Sequence, residues 1–190
     1  KDGCPMTYEA FQRTYAPGLS SQQAAAVRAV EGPVLLLAVP GSGKTTLLRI
    51  LCGLEVPDSG EIENGKSFSV VFQEDRLMPS MTALGNVAAV CDEKKAAEWL
   101  KKVGLGESFN KFPHELSGGM SRRVAIARAL AFDADALILD EPFKGLETEL
   151  KESITELICE YAQKKPVILV THDEELKKLA SKSVKIMLSE

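Results

Sequence analysis

A glycine-rich segment of the chain has the residue types that bind phosphate. It follows a predicted strand at residues 34–39 and overlaps the start of a predicted helix at residues 45–54. Glycines let the backbone turn tightly so that successive N–H groups face inward, and a helix N-terminus adds partial positive charge. The residues of this phosphate loop are Pro40, Gly41, Ser42, Gly43, Lys44, Thr45 and Thr46.

Two side chains of the phosphate loop are predicted to have distinct roles, one toward phosphate and one toward Mg²⁺. Lys44 would reach the β- and γ-phosphates, and Thr45 would offer its hydroxyl to Mg²⁺. The first position of the usual pattern holds Ala38 in place of glycine. A glycine-rich turn without a ligand is the alternative. The order of strand, loop and helix favours nucleotide binding instead.

Two carboxylates follow another apolar run, at residues 136–139. Asp140 would hold Mg²⁺ through its water shell, because Mg²⁺ keeps most of its waters. Glu141 would polarise the water that attacks the γ-phosphate. The alternative is a plain strand-to-turn junction that happens to be acidic. The presence of Lys44 in the same chain favours the metal site.

Polar residues also follow two further strands. His172 comes after the buried strand at residues 167–170, where it could hydrogen-bond the γ-phosphate or the attacking water. A surface histidine is the alternative. Gln73 follows the strand at residues 68–72, and its neutral amide could bind Mg²⁺ or position water. The predicted catalytic residues for ATP hydrolysis are therefore Glu141, His172 and Lys44.

The apolar runs predict the architecture. The four strand-like runs are almost continuously apolar instead of alternating, as in strands that are buried on both faces. They predict a parallel sheet covered by helices, and the alternation of strand and helix indicates an α/β fold. A last edge strand is expected at residues 182–188, and residues 74–116 are expected to form a small helical insert. The predicted helices are residues 45–54, 81–90, 94–103, 117–132 and 146–162.

Composition limits the classes of function. The chain has 190 residues, 45% hydrophobic and 26% charged, with a formal net charge of −4, so no nucleic-acid partner is expected. No apolar run approaches the ~20 residues of a membrane helix, and the first residues lack the layout of a secretory signal. A role at a membrane would therefore need a separate partner. The cysteines lie far apart and are predicted to be reduced thiols: Cys4, Cys52, Cys91 and Cys159.

The most specific pattern lies in residues 116–130, which begin Leu-Ser-Gly-Gly-Met. Ser117 opens a predicted helix, so its hydroxyl and the following N–H groups form a second anion site. This segment closely resembles the signature of ATP-binding cassette (ABC) ATPases, which in that family reads Leu-Ser-Gly-Gly-Gln. The resemblance covers about residues 38–190. The matching signature residues are Ser117, Gly118, Gly119 and Met120, the last of which departs from the family's Gln.

The resemblance implies a fold and an assembly. The fold is a P-loop NTPase with a RecA-like, mostly parallel sheet core at residues 34–73 and 117–190 and a helical subdomain at residues 74–116. Together they make a single cassette domain, residues 1–190. The assembly is a homodimer or heterodimer of ATPase subunits, in which the signature of one subunit faces the ATP bound by the other. Residues 143–147 occupy the dimer-contact loop, which in the family usually ends in Asp where this chain has Glu147.

The resemblance also implies a function. The chain is expected to be the nucleotide-binding subunit that energises a membrane transporter through separate transmembrane permease subunits, as a cytoplasmic protein peripheral to the membrane. Its compact size resembles the ATPases of bacterial small-solute importers. The alternatives are a soluble ABC-type ATPase and an engineered hybrid that binds ATP with little turnover. Helicase activity is the least favoured.

The first residues do not follow the family pattern. ABC domains normally begin with antiparallel strands and an aromatic residue that stacks on adenine, whereas residues 20–30 predict a capped helix. Residues 19–45 resemble the start of superfamily-one DNA helicases, in which a Gln at the position of Gln23 contacts adenine. Gln23 and Tyr15 are both candidates for that contact. These features suggest a hybrid chain joined near Lys44, with the N-terminal β subdomain weak or replaced by helix.

Overall fold

The computed structural model describes residues 34–38, 48–50, 52–56, 67–171 and 182–186. These residues contribute five strands to one sheet with the order β2-β3-β4-β1-β5, and every neighbouring pair is parallel. The strands are β1 (Val34–Ala38), β2 (Phe68–Val71), β3 (Ala136–Asp140), β4 (Val167–Thr171) and β5 (Lys182–Ile186). The predicted parallel sheet is confirmed, and β5 lies at its edge as expected.

Burial explains why these runs are strands. Every residue of β3 is buried, and four of the five residues of β4 are buried. A strand covered on both faces has no solvent side, so its sequence does not alternate. The strand bounds differ by one or two residues from the prediction. For example, β3 includes Asp140 and β4 includes Thr171, because the ladder to β4 and to β1 continues through these polar residues.

Helices join the strands of the described chain. Asp92 caps the second of these helices by accepting a hydrogen bond from the Lys95 N–H (2.9 Å). The acidic first turn and the basic last turn of the same helix complement its dipole. The helices are α1 (Ala83–Ala88), α2 (Glu93–Lys102), α3 (Gly118–Phe132) and α4 (Thr148–Ala162), with a short 3₁₀ turn at Pro113–Glu115.

Capping explains where the helices differ from prediction. Ser117 is the N-cap of α3 and Glu147 is the N-cap of α4, so these helices begin one and two residues later than predicted. The helix after the phosphate loop was predicted to reach residue 54, and this is wrong. Residues 48–50 are helical, but Gly53 has a left-handed backbone (φ 70°) and its N–H donates to the carbonyl of Ile50. Glycine tolerates this conformation, which ends a helix.

Helix α3 lies at the centre of the core. Its apolar residues belong to one buried cluster with residues of the sheet, of α4 and of the α1–α2 insert. Two hydrogen bonds fix the layers: Ser69 Oγ on β2 donates to the Ala129 carbonyl on α3 (2.7 Å), and Tyr161 Oη on α4 donates to the Ala134 carbonyl (3.0 Å). Residues 74–116 contain α1, α2 and the 3₁₀ turn without a strand. Within the described ranges, no helix is long and apolar enough to cross a membrane.

Candidate nucleotide site

The candidate site lies at the edge of the sheet where the parallel strands end. The register aligns Val71 of β2 with Leu139 of β3, and Asp140 of β3 with Val170 of β4. Ligands of open α/β sheets bind outside this carboxyl edge. The strand that precedes the phosphate loop, β1, is separated from β3 by β4 alone. At ~4.8 Å per strand this separation is about 10 Å, which suits a triphosphate between the two strand ends.

The two carboxylates of the site are buried at the end of β3. Asp140 is fully buried, and Glu141 is 6% exposed. Glu141 has a positive φ of 51°, a left-handed conformation that is strained for a residue with a side chain. Such strain persists only where the surroundings fix it, and it clusters at functional sites. Glu141 is therefore the candidate functional residue of this turn.

Neighbouring β4 holds Glu141 in place. The backbone N–H of Glu141 donates to the Val170 carbonyl (2.8 Å), and Thr171 Oγ1 donates to Glu141 Oε2 (3.2 Å). Thr171 is buried, and it comes directly before His172 in the chain. A carboxylate held by its own strand and by the next one has a defined direction, which a general base needs.

The side chains of this edge fit a magnesium ion. They supply carboxylate oxygens from Asp140 and Glu141 and an amide oxygen from Gln73, which stands at the end of neighbouring β2. Mg²⁺ takes oxygen ligands and is usually bound through one or two carboxylates together with waters and phosphate oxygens. The described ranges contain no group of three or more His, Cys, Asp or Glu side chains that could hold a metal without such help. The donor set therefore fits Mg²⁺ that arrives with a phosphate ligand.

The signature forms the exposed N-terminus of α3. Ser117 Oγ accepts a hydrogen bond from the Met120 N–H (3.2 Å), so the hydroxyl acts as the helix cap. A serine hydroxyl that accepts can still donate its own hydrogen. Ser117 and Gly118 are exposed, and Gly119 and Met120 are half-buried. The start of this 15-residue helix therefore presents N–H groups and a hydroxyl to an external anion.

The signature also packs against the predicted dimer-contact loop. A Cβ atom added to Gly119 would lie 2.9 Å from the carbonyl oxygen of Gly145, which is closer than real Cβ atoms come. Gly145 itself has a positive φ of 78°. Two glycines thus allow the loop at 143–147 and the start of α3 to touch. Glu147 follows as the N-cap of α4, and its charge opposes the lowering of the Arg123 pKa that burial causes.

The segment that carries Gln73 is attached to α3 by two arginines. Arg122 donates to the carbonyls of Phe72 (2.6 Å) and Gln73, and Arg128 donates to the carbonyls of Asp75 and Arg76 (3.1 Å each). Arg122 Nε also lies 3.0 Å from Asp75 Oδ1.

Burial raises the pKa of Asp75, while Arg122 and Arg128 act in the opposite direction. Neither arginine was predicted from the sequence to have a role. The available signal was that both stand in a helix otherwise rich in alanine and apolar residues.

Several predicted site residues lie outside the described residues, so their placement stays a prediction. The two adenine candidates and the catalytic histidine belong to this group, as does the whole phosphate loop with its lysine. They are Tyr15, Gln23, Pro40, Gly41, Ser42, Gly43, Lys44, Thr45, Thr46 and His172. The predicted site residues within the described part of the chain are Gln73, Ser117, Gly118, Gly119, Met120, Asp140 and Glu141.

A protein-family model described as ABC transporter matches residues 31–144. This interval is more than half of the chain and contains the phosphate loop, the helical insert, the signature and both carboxylates. The chain belongs to the ABC transporter family. The match runs across Lys44 in one interval, so the comparisons give no support to a helicase segment or to a hybrid chain.

Curated relatives of this ABC protein include import ATP-binding proteins. The aliphatic sulfonates import ATP-binding protein SsuB 3 of Paraburkholderia xenovorans (strain LB400) is 46% identical over 146 residues, which is 74% of this chain and 59% of the relative. The Fe(3+) ions import ATP-binding protein FbpC of Brucella melitensis biotype 1 is 39% identical over 176 residues, with 81% and 50% coverage. The chain thus spans between half and three fifths of the length of these relatives.

A solved structure has the same ABC fold. The ATP-binding cassette MJ0796, as a dimer in a post-hydrolysis state bound to ADP and Pi, superposes with a TM-score of 0.75 at 31% identity. The alignment covers 82% of this chain and 81% of that one. The P-loop ATPase fold predicted from the sequence is therefore confirmed.

Proposed function

We propose that this chain binds and hydrolyses MgATP as the nucleotide-binding subunit of a membrane transporter, a small-solute importer. The observation that carries the proposal is the buried, strained Glu141 at the carboxyl edge of an ABC-family sheet. Arg76 and Asp133 also have positive φ, but of these three residues only Glu141 is a buried carboxylate at the end of a sheet strand, where a general base could act. Importer ATP-binding subunits among the relatives support the transport assignment.

The phosphates would lie on the loop at residues 40–46. Lys44 binds the β- and γ-phosphates, and the backbone N–H groups of the loop donate to the same oxygens. Thr45, Asp140 and Gln73 would hold Mg²⁺, which when bound neutralises charge that develops on the phosphates. Gln23 or Tyr15 would contact the adenine. Binding of adenine analogues to variants of each residue would show which of the two makes the contact.

Hydrolysis needs a water in line with the γ-phosphate. The Glu141 carboxylate, oriented by Thr171 Oγ1, accepts the proton of that water, and His172 binds the γ-phosphate or the water. Burial of Glu141 at the strand end keeps the base away from bulk solvent. All of these groups for hydrolysis belong to one subunit.

The signature would complete the site of another subunit. Ser117, Gly118, Gly119 and Met120 form the exposed start of α3, and a helix start binds anions such as a γ-phosphate. The site is therefore proposed to form between two ATPase subunits, with ATP enclosed by the phosphate loop of one and the signature of the other. The contact between Gly119 and Gly145 would join the signature to the dimer-contact loop.

Partners and location follow from the transport role. The proposed partners are a second ATPase subunit and separate transmembrane permease subunits, with the chain peripheral on the cytoplasmic face of the membrane. Residues 34–73 and 117–190 would form the catalytic core and residues 74–116 the helical subdomain. Nucleic acid is not proposed as a partner. Hydrolysis that DNA stimulates would contradict that assignment.

The deciding experiment measures MgATP turnover as a function of protein concentration for the parent protein, Glu141→Gln and Lys44→Ala. We expect turnover to rise faster than linearly with concentration, because the site needs two subunits. Glu141→Gln should keep ATP binding, lose about 10²- to 10⁴-fold in hydrolysis and accumulate as an ATP-bound dimer. Lys44→Ala should lose most ATP binding in calorimetry, because the phosphates lose their cation.

Three results would contradict the proposal. A parent protein that binds ATP without turnover would support a nucleotide-binding protein that is not an enzyme. Parental rates in Glu141→Gln would show that another group is the base. Unchanged ATP affinity in Lys44→Ala would remove the phosphate-loop assignment.

A further inference from the structure

The segment that carries Gln73 is held by α3 through its own backbone. Arg122 uses three nitrogens on it: two contact the carbonyls of Phe72 and Gln73, and Nε faces the Asp75 carboxylate at 3.0 Å. Six residues along the same helix, Arg128 binds two further carbonyls, those of Asp75 and Arg76. One helix therefore contacts four carbonyls within a five-residue segment.

The burial of Arg122 shows that these contacts are not incidental. The residue is 4% exposed, and charged residues are rarely buried unless they are paired, as Arg122 is with Asp75. Its partners on this segment are mainly backbone carbonyls, which fix the path of the chain whatever the side chains are. These contacts of the buried arginine can form in only one backbone conformation of residues 72–75.

Backbone strain in the segment indicates the same constraint. Arg76 has a positive φ of 45°, which a residue with a side chain keeps only when its surroundings determine it. Its carbonyl is bound by Arg128, and its guanidinium lies 4.3 Å from the centroid of the Phe72 ring. The turn after β2 is thus closed on itself and attached to α3.

The side chain of Gln73 is exposed, although its backbone carbonyl is held. Its backbone carbonyl is bound by Arg122, which stands five residues after the N-cap Ser117 of the signature helix. The position of the Gln73 amide is therefore set by the helix that begins with the signature, in addition to the strand that precedes it.

We infer that Arg122 is a positioning residue for Gln73, and that Arg128 supports the far end of the same segment. The inference rests on the proposed function, in which Gln73 serves Mg²⁺ or the attacking water. In the proposed site, Arg122 does not itself contact the phosphates. It fixes the backbone from which the Gln73 amide reaches the site.

A double-mutant cycle separates positioning from simple stabilisation. Arg122→Met keeps most of the volume and removes every donor, Arg122→Lys keeps one charge, and Gln73→Ala removes the amide. We expect Arg122→Met to lower kcat, or to raise the Mg²⁺ concentration for half-maximal rate, by about 10- to 100-fold. Arg122→Lys should recover part of this loss. In the Gln73→Ala background the same Arg122→Met change should alter these values by no more than about twofold.

Arg123 provides the matched control on the same helix. Its guanidinium binds the carbonyls of Val103, Gly104 and Gly119, and none of these belongs to the Gln73 segment. The effects of Arg123→Met and Gln73→Ala on kcat should therefore be independent, so that the double variant shows the product of the two single effects. Amide hydrogen exchange of residues 72–77 gives a readout that does not require turnover. It should accelerate in Arg122→Met and stay at the parental rate in Arg123→Met.

The outcomes distinguish the inference from the proposed function. Equal effects of Arg122→Met with and without the Gln73 amide would overturn the positioning role while MgATP hydrolysis stands. Parental exchange rates in Arg122→Met would also overturn it. Absence of turnover in the parent protein would contradict the proposed function, and the exchange comparison would then decide whether Arg122 fixes the segment.

Discussion

Thr171 Oγ1 donates a hydrogen bond to Glu141 Oε2 across 3.2 Å, between the ends of β4 and β3. Both residues are buried, and the strands that carry them are hydrogen-bonded neighbours. The Glu141 N–H also donates to Val170, so one strand fixes both the backbone and the carboxylate of the proposed base. The direction of the carboxylate is thereby determined by the sheet.

Replacing Thr171 tests this orientation. Thr171→Val keeps the shape and removes the donor, so we expect hydrolysis to slow by roughly tenfold, the equivalent of about 1.4 kcal/mol in the barrier. ATP affinity should change little, because Thr171 is not proposed to contact the nucleotide. Thr171→Ser keeps the hydroxyl and is the control. Single-turnover hydrolysis measures the step directly, and equal rates for the valine and serine variants would contradict the role of the hydroxyl.

Gly119 and Gly118 form a matched pair of glycines at the start of α3. A Cβ on Gly119 would collide with the Gly145 carbonyl at 2.9 Å, whereas a Cβ on Gly118 would meet nothing within 4 Å. We expect Gly119→Ala to lower the free energy of unfolding by about 1–3 kcal/mol, and Gly118→Ala to leave it unchanged or raise it by up to ~1 kcal/mol. Urea unfolding of the two variants provides the comparison. Similar stabilities would show that the loop at 143–147 moves away without cost.

The proposed dimer places Ser117 of one subunit opposite the phosphate loop of its partner. Cysteines at Ser117 and Pro40 keep Lys44 intact and should crosslink between subunits with MgATP bound, best in a Glu141→Gln background. The four native cysteines must be replaced first, although burial already raises the pKa of Cys52 to about 11 and makes that thiol slow to react. Each single-cysteine variant is the control. An equal yield of crosslinks with and without MgATP would argue against the head-to-tail arrangement.

The end of α3 carries a pH-dependent contact. Asp133 has a left-handed backbone (φ 57°), and its Oδ1 accepts a hydrogen bond from Lys165 Nζ (2.8 Å), which lowers the Asp133 pKa below its ordinary 3.8. A depressed carboxyl pKa gives stability that is present above the unfolded-state pKa and is lost as the pH falls through the folded-state value. The stability from this pair therefore disappears in acid, below about pH 4.

Asp133→Asn removes the titrating group and tolerates the left-handed backbone. We expect its free energy of unfolding to fall less steeply than that of the parent as the pH drops from about 5 to 3. Urea titrations at several pH values measure this slope. Lys165→Met removes the same contact from the other side and should flatten the slope similarly. A slope equal to that of the parent in both variants would show that the pair contributes nothing.

The sequence by itself determined the fold and much of the candidate site. Continuously apolar runs of four to six residues are typical of strands covered on both faces, so the local pattern predicted the parallel sheet. Asp140 and Glu141 were found because they stand directly after such a run, and Ser117 because a hydroxyl before glycines caps a helix. Each of these inferences depends on neighbours along the chain, which the sequence displays.

The tertiary structure alone decided the contacts between distant segments. Arg122 binds carbonyls about fifty residues earlier in the chain, and Thr171 orients a carboxylate thirty residues earlier. Gly119 is close to Gly145 only because two loops converge. No local pattern encodes these pairs, because burial and backbone partners arise from how the layers pack. The sequence therefore named the candidate groups for the chemistry, while the packing determined which groups hold Gln73 and Glu141 in place.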